Sequence, residues 1–183
     1  MTMNQKIIGT KLNATALENT ASHTISVIVD NEVGVLARVI GLFSGRGYNI
    51  ESLTVAPDDM EGQTSRITIV TTGTPMVIEQ IKAQLDRLVP VIRVGDLTLD
   101  GPSVERELAL IKVAPNPEDR EEARRIAEAF RAKTVDSTKG SFIFEVTGKT
   151  EKITAFATLM QELGLVEVVR TGVAALARGQ DKL

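Results

Sequence analysis

Ile25, Val27 and Val29 recur at every second position and predict a half-buried strand. Asp30-Asn31 then offers a helix cap, and the apolar run that begins at Val33 predicts a helix to about Ser44. Leu53 and Val55 mark a second strand, residues 57–62 a turn or loop, and Ile67 and Ile69 a third strand with Arg66, Thr68 and Val70 on its other face. Thr74-Pro75 starts a second helix, with Pro at the favoured first position. Its stripe, Ile78, Ile81, Leu85 and Leu88, follows the helical period. Residues 91–99 make a fourth strand, which completes the order β-α-β-β-α-β.

The second half repeats that order. Residues 108–113 predict a strand, and Asn116-Pro117-Glu118-Asp119 opens a helix with a cap, a proline and two acids in the first turn. Ala123, Ile126, Ala127 and Phe130 form its stripe; residues 134–136 predict a short strand, and Phe142, Phe144 and Val146 a stronger one. Thr150 is read as the cap of a helix with Ile153, Phe156, Ala157, Met160 and Leu163 inward, and residues 166–175 close the set. The letters echo faintly: residues 65–71 resemble 141–147, and Arg93/Gly95 resemble Arg170/Gly172. The matching element order predicts an α+β protein of two ferredoxin-like βαββαβ modules, 24–100 and 104–179, joined near Asp100-Gly101-Pro102. Each module should carry an antiparallel sheet with both helices on one face, and a second subunit is the usual cover for the other face.

Composition narrows the chemistry. The 183 residues contain no cysteine, so disulfides, thiolate catalysis and Cys-based metal sites are excluded. The 21 basic and 24 acidic side chains are well mixed, with no basic stripe to neutralise phosphates, and the reading is no nucleic-acid partner. No apolar run approaches the roughly 20 residues that span a bilayer. Residues 1–23 lack the apolar core of a secretory signal; they are read as a poorly ordered tail, and the protein as cytoplasmic.

The first helix draws attention on two counts. Val33, Val35, Leu36, Ala37, Val39, Ile40, Leu42 and Phe43 leave it apolar on nearly every side, with only Arg38 interrupting, which means either a large core or a subunit interface. Its start leaves backbone N–H groups without partners at the positive end of the helix dipole. Gly34 falls in that turn and removes a Cβ that would block a ligand, while Asn31 either caps the helix or turns its amide to the ligand. An amino-acid carboxylate suits such a place.

Other motifs lead nowhere. Thr147-Gly148-Lys149-Thr150 resembles the end of a phosphate loop, but position 143, where the first glycine belongs, is Ile143. Gly45-Arg46-Gly47 follows a helix and lacks the third glycine of a dinucleotide loop. His23, the only histidine, is expected to be solvated in the tail. Asp58 and Asp59 read as turn residues rather than an acid/base pair, and Phe142 and Phe144 as core rather than a stacking platform for RNA.

The stretch from Asn31-Glu32-Val33-Gly34 through Arg46-Gly47-Tyr48-Asn49-Ile50-Glu51-Ser52 to Pro57 closely resembles the small, regulatory subunit of acetolactate (acetohydroxyacid) synthase. Val104-Glu105-Arg106-Glu107-Leu108 and the segment from Arg170 to Gly179 are similar to the same family, and the resemblance covers about Thr24 to Gly179. It implies an N-terminal ACT domain, a homodimer formed through ACT domains, and a branched-chain amino acid, usually valine, bound at their interface. It implies activation and feedback control of a catalytic large subunit in branched-chain amino acid biosynthesis. By the same resemblance Asn31, Val33, Gly34, Val35 and Leu36 hold the effector's charged groups, and Asn49 and Ile50 of the other protomer complete the pocket. Thiamine diphosphate, magnesium and flavin are expected on the large subunit, and no cofactor or catalytic residue in this chain. A stand-alone amino-acid sensor that serves another enzyme is the competing reading.

Overall fold

The computed structural model describes residues 20–180 and 183. The elements run β1 (Ala21–Asp30), α1 (Val35–Arg46), β2 (Ser52–Pro57), β3 (Thr64–Gly73), α2 (Pro75–Leu85) and β4 (Val91–Asp96). They continue with β5 (Ser103–Val113), a 3-10 turn (Pro117–Asp119), α3 (Arg120–Ala129), β6 (Lys133–Ser137), β7 (Phe142–Gly148), α4 (Thr150–Gln161), β8 (Leu165–Arg170) and β9 (Ala174–Ala177). One compact unit takes the chain up to Ser103 together with the chain from Ala175; the other is Val104–Ala174.

In the first unit the strand order is β2-β3-β1-β4, and in the second β6-β7-β5-β8, with every neighbouring pair on these paths antiparallel. The α+β class and the doubled βαββαβ order expected from the sequence are both present. Side chains alternate across a strand, so Ile25, Val27 and Val29 meet Ile67 and Ile69 on one face. The same core receives Val35, Val39 and Phe43 of α1 and Ile78, Ile81 and Leu85 of α2. The second unit packs Ala109, Ile111 and Val113 with Phe144 and Val146, and covers them with Ala123 and Ala127 of α3 and Ile153, Phe156 and Met160 of α4. Phe142 and Phe144 are both core, as their pattern predicts.

Helix starts differ from the sequence reading in two places. Thr74 does cap α2, accepting a bond from the Val77 N–H at 3.4 Å. Thr150, however, is the first helical residue of α4, and Lys149 in extended conformation stands at the cap. The helix read from Asn116 begins as a 3-10 turn and turns α-helical only at Arg120.

The two sheets share a register that the letter echo misses. In β1 and β4 Ile25 pairs with Asp96 and Val27 with Val94, with an irregularity at Ile28/Val29. In β5 and β8 Ala109 pairs with Arg170 and Ile111 with Val168, with an irregularity at Lys112/Val113. These pairs make Ile25 equivalent to Ala109 and Asp96 equivalent to Arg170. Across the other edge Ile67 answers to Phe144 and Ile69 to Val146. Matching residues 65–71 to 141–147 is therefore one residue out, and a one-residue slip would send every core side chain to the wrong face. Arg93 pairs with Ile28 as Glu167 pairs with Lys112, so Arg93 and Arg170 are not equivalent either.

The same register corrects the reading of residues 21–23. These residues belong to β1, paired with Gly73, Thr72 and Thr71; residues 1–19 of the predicted tail lie outside the described residues. His23 is 4% exposed rather than solvated. Its Nδ1 lies 2.7 Å from Asp96 Oδ2, and the other Asp96 oxygen accepts from the Thr98 N–H at 3.0 Å. The second unit places Glu107 and Arg170 at the equivalent positions, 3.6 Å apart, with Glu107 also buried. Each module thus closes the same corner of its sheet with a polar pair, of reversed order along the chain. Asp96→Ala strands buried donors, each worth about 1–3 kcal/mol when left unpaired. Urea denaturation followed by the single tyrosine, Tyr48, should show a loss of roughly 2 kcal/mol.

Candidate functional site

Strand β1 ends where the chain must turn into α1. Asp30 donates its N–H to the Pro90 carbonyl at 2.8 Å, Asn31 its N–H to Gln63 at 2.8 Å, and Glu32 its N–H back to Asp30 at 2.9 Å. The turn is completed by Gly34, with φ +85° and ψ 0°, a left-handed conformation that costs glycine nothing and other residues strain. Gly34 is therefore the N-cap of α1 rather than a residue of its first turn. Asn31 is not the cap: its Nδ2 donates to the Gly62 carbonyl at 2.9 Å and ties the turn to the loop between β2 and β3.

A glycine cap has no side chain to satisfy the helix start. The Val35 N–H reaches the Glu32 carbonyl at 3.3 Å, and the Arg38 N–H the Gly34 carbonyl at 3.1 Å. The N–H groups of Val33, Gly34, Leu36 and Ala37 make no hydrogen bond among the described residues. No acid stands in the first turn of α1, and a Cβ on Gly34 would meet nothing within 4 Å. Val33 is almost fully exposed beside these amides, and Glu32 is held aside in an ion pair with Arg38. Four open amides at the positive end of a helix are the arrangement that favours an anion.

The remaining residues expected at the site divide into two groups. Val35 is buried, so its side chain serves the core, while Leu36 is half-buried on the flank of α1. Asn49 and Ile50 follow Gly47, the left-handed residue that stops α1. The Asn49 carbonyl accepts from the Thr71 hydroxyl at 2.6 Å, so this segment is fixed to β3. The 12 residues of α1 put it roughly 18 Å from Gly34. One chain brings Asn31, Val33, Gly34 and Leu36 together; it does not bring Asn49 and Ile50 to them.

The loop after β2 is a neighbour that the sequence did not announce. Asp58 pairs with Arg66 at 2.8 Å, and Asp59 accepts from the Gln63 and Thr64 N–H groups at 3.0 and 2.9 Å and from the Thr64 hydroxyl at 2.7 Å. These bonds favour the ionised form, the Thr64 hydroxyl most, and hold the Asp59 carboxyl below the usual carboxylate range. Because the folded value is depressed, the stabilisation is present above the ordinary carboxylate range and fades as pH falls through the folded value. Thr64→Val should move the Asp59 midpoint upward in a carboxyl NMR titration; an unmoved midpoint rejects the hydroxyl as the main cause. Among the described residues no group of three or more His, Asp or Glu side chains could hold a metal, and no helix is long and apolar enough to cross a membrane.

Comparison with known proteins covers both modules. The family model described as an AHAS small subunit-like ACT domain matches residues 25–93, and that of the small subunit of acetolactate synthase matches residues 106–179. The "probable acetolactate synthase small subunit" of Archaeoglobus fulgidus is 49% identical over 160 residues, which is 87% of this chain and 99% of that one. The chain belongs to the acetolactate synthase small-subunit family. A second relative, the acetolactate synthase isozyme 3 small subunit of Salmonella typhimurium, is 47% identical over 87% of this chain and 96% of its own. The crystal structure of the small subunit from Thermotoga maritima superposes with a TM-score of 0.79 at 38% identity, covering 88% of this chain and 99% of that one. Membership makes this a regulatory subunit in branched-chain amino acid biosynthesis, and the amide cradle at Gly34 lies in its ACT domain.

Proposed function

We propose that the chain is the non-catalytic regulatory subunit of an acetolactate synthase and binds a branched-chain amino acid, valine in this reading, between two ACT domains. The observation that carries this reading is the set of open amides at Gly34. The effector's carboxylate accepts from them, and the Asn31 side chain, now tied to Gly62, gives up or shares its bond to take part. Asn49 and Ile50 of a second copy close the pocket, because within one chain α1 holds them roughly 18 Å away. Ile40, half-buried and outside the core cluster, gives α1 an apolar residue for that copy.

Effector binding at such an interface favours one packing of the dimer. The catalytic large subunit, which carries thiamine diphosphate, magnesium and flavin, reads that packing and is activated or inhibited accordingly. A ligand shifts an equilibrium only by its differential affinity for the two states, here about 1–3 kcal/mol.

Titration of valine, leucine and isoleucine into the full chain, with sedimentation of the same samples, tests this. A dimer that binds at least one of the three supports it; no heat with any of them, or full binding by a monomer, overturns it. Capture of a thiamine-diphosphate enzyme by the tagged chain from native lysate supports the assignment of partner, whereas capture of a different amino-acid-regulated enzyme alone favours the stand-alone sensor.

A further inference from the structure

Past the end of β4 the first unit forms an open hollow of about 180 Å³, several times a water's share of liquid volume, about 30 Å³, with Leu97 buried at its floor and Asp100 and Arg178 exposed at its rim. Leu97, Pro102, Ala177 and Leu183 supply apolar walls, and Asp100 and Arg178 bring one charge of each sign. Leu183 is seated on Gly95: a Cβ there would lie 2.1 Å from Leu183 Cδ1. Strand end and returning chain are pinned around the hollow by two bonds. The Asp96 N–H donates to Asp100 Oδ2 at 2.8 Å, and the Arg178 N–H donates to the Pro102 carbonyl at 2.8 Å.

The two charged groups keep hydrogen-bonding capacity, although the Lys82 ammonium also feels the Asp100 charge. Asp100 Oδ1 has no hydrogen bond among the described residues, and the Arg178 guanidinium makes neither a hydrogen bond nor an ion pair there. They do not pair with each other although they line the same hollow. A carboxylate and a guanidinium held apart over an apolar floor match a zwitterion. An ammonium donates to Asp100, a carboxylate takes the planar fork of Arg178, and a compact apolar group fills the space against Leu97 and Pro102.

We propose that this hollow is a second site for a free α-amino acid with a short apolar side chain, built from side-chain charges rather than from the backbone amides of the Gly34 turn. It does not depend on the effector reading of that turn.

The test titrates L-valine, L-leucine and L-alanine into the full chain, with isovalerate as the probe that lacks the ammonium. Wild type should show two classes of binding, and Gly34→Asp should keep one of them. On the Gly34→Asp background, Arg178→Gln and Asp100→Asn should each weaken the remaining class at least about tenfold, and isovalerate should not occupy it. Asp100→Asn keeps an acceptor for the Asp96 N–H, and Arg178 is exposed, so both variants should fold. Absence of any binding to Gly34→Asp, or affinities indifferent to both neutralisations, overturns the second site. Wild-type affinity in Gly34→Asp together with full loss in Arg178→Gln would uphold it and reject the Gly34 turn instead.

Discussion

Gly34→Asp is expected to remove tight valine binding and to leave a large subunit that is still activated but resists feedback. The backbone there has φ +85°, and Asp is among the few residues that enter the left-handed region with modest strain, about 1–2 kcal/mol. No heavy atom stands within 4 Å of the added Cβ, so the fold should tolerate it. The new carboxylate then lies on the open amides of Gly34, Leu36 and Ala37 and takes the place of the effector's own carboxylate. Loss of a coupling of about 1–3 kcal/mol corresponds to a severalfold to hundredfold change in response. Gly34→Ala separates strain from charge: it carries at least the backbone cost of Asp and should retain most of the binding. Calorimetry with valine, and activity of the reconstituted enzyme with and without valine, give both readouts. Ordinary valine affinity in Gly34→Asp would place the effector elsewhere.

Phe144→Ala should be the most destabilising single change in the second unit. Phe144 is fully buried on β7, stacked on Phe142 at 5.5 Å between centroids and edge-on to Phe156 at 6.0 Å. Phe156 in turn meets Phe130 at 5.3 Å, so Phe144 lies at the centre of a cluster that joins the sheet to α3 and α4. Truncating a buried Phe to Ala costs about 3–5 kcal/mol, the lost transfer energy plus the cavity left behind. The cavity term should be near its upper range, because rings held from several directions cannot collapse into the space. Hydrogen exchange at the amides of β5 and β7 should accelerate at least about a hundredfold. Tyr48, in the first unit, should report little change in its own surroundings, and Phe144→Leu should recover most of the loss. Exchange in β7 no faster than wild type would show that the cluster adds little to the stability of its unit.

Strands and helices were legible wherever one face is buried. Ile78, Ile81 and Leu85 declare a period near 3.6 because burial on one side forces that spacing; Ile25, Val27 and Val29 declare a period of two, although β1, expected to be half-buried, is a central strand whose other row, Thr24, Ser26 and Ile28, is buried as well. Continued one step back, the same period of two reaches His23 and puts it on the core row. What the pattern could not supply was Asp96, 73 residues away, which gives the buried ring its hydrogen bond. Glu107 escaped notice for the same reason, since its partner Arg170 comes from the far edge of the sheet.

The start of α1 shows a different limit. Val33, Val35 and Leu36 are all apolar, so the hydrophobic run gives no sign of where the helix begins. Gly34 was visible as a letter, but only the backbone shows it in a left-handed state that ends the turn and leaves its neighbours' amides open. By residue type Asn31 reads as either a cap or a ligand-facing amide, yet the loop at Gly62 takes its side chain. Asp58 and Asp59 read correctly as turn residues, and their partners Arg66 and Thr64 lie in the strand that follows.

The sequence by itself determined the order of elements, the doubling of the βαββαβ unit and the core-facing residues, since each follows from a local period in the large apolar side chains. The tertiary structure alone decided the sheet register, the polar pairs that close both sheets, and the separation of Gly34 from Asn49 by the length of α1. Those depend on which distant residues the chain brings together in space, and no spacing along a single strand or helix contains that information.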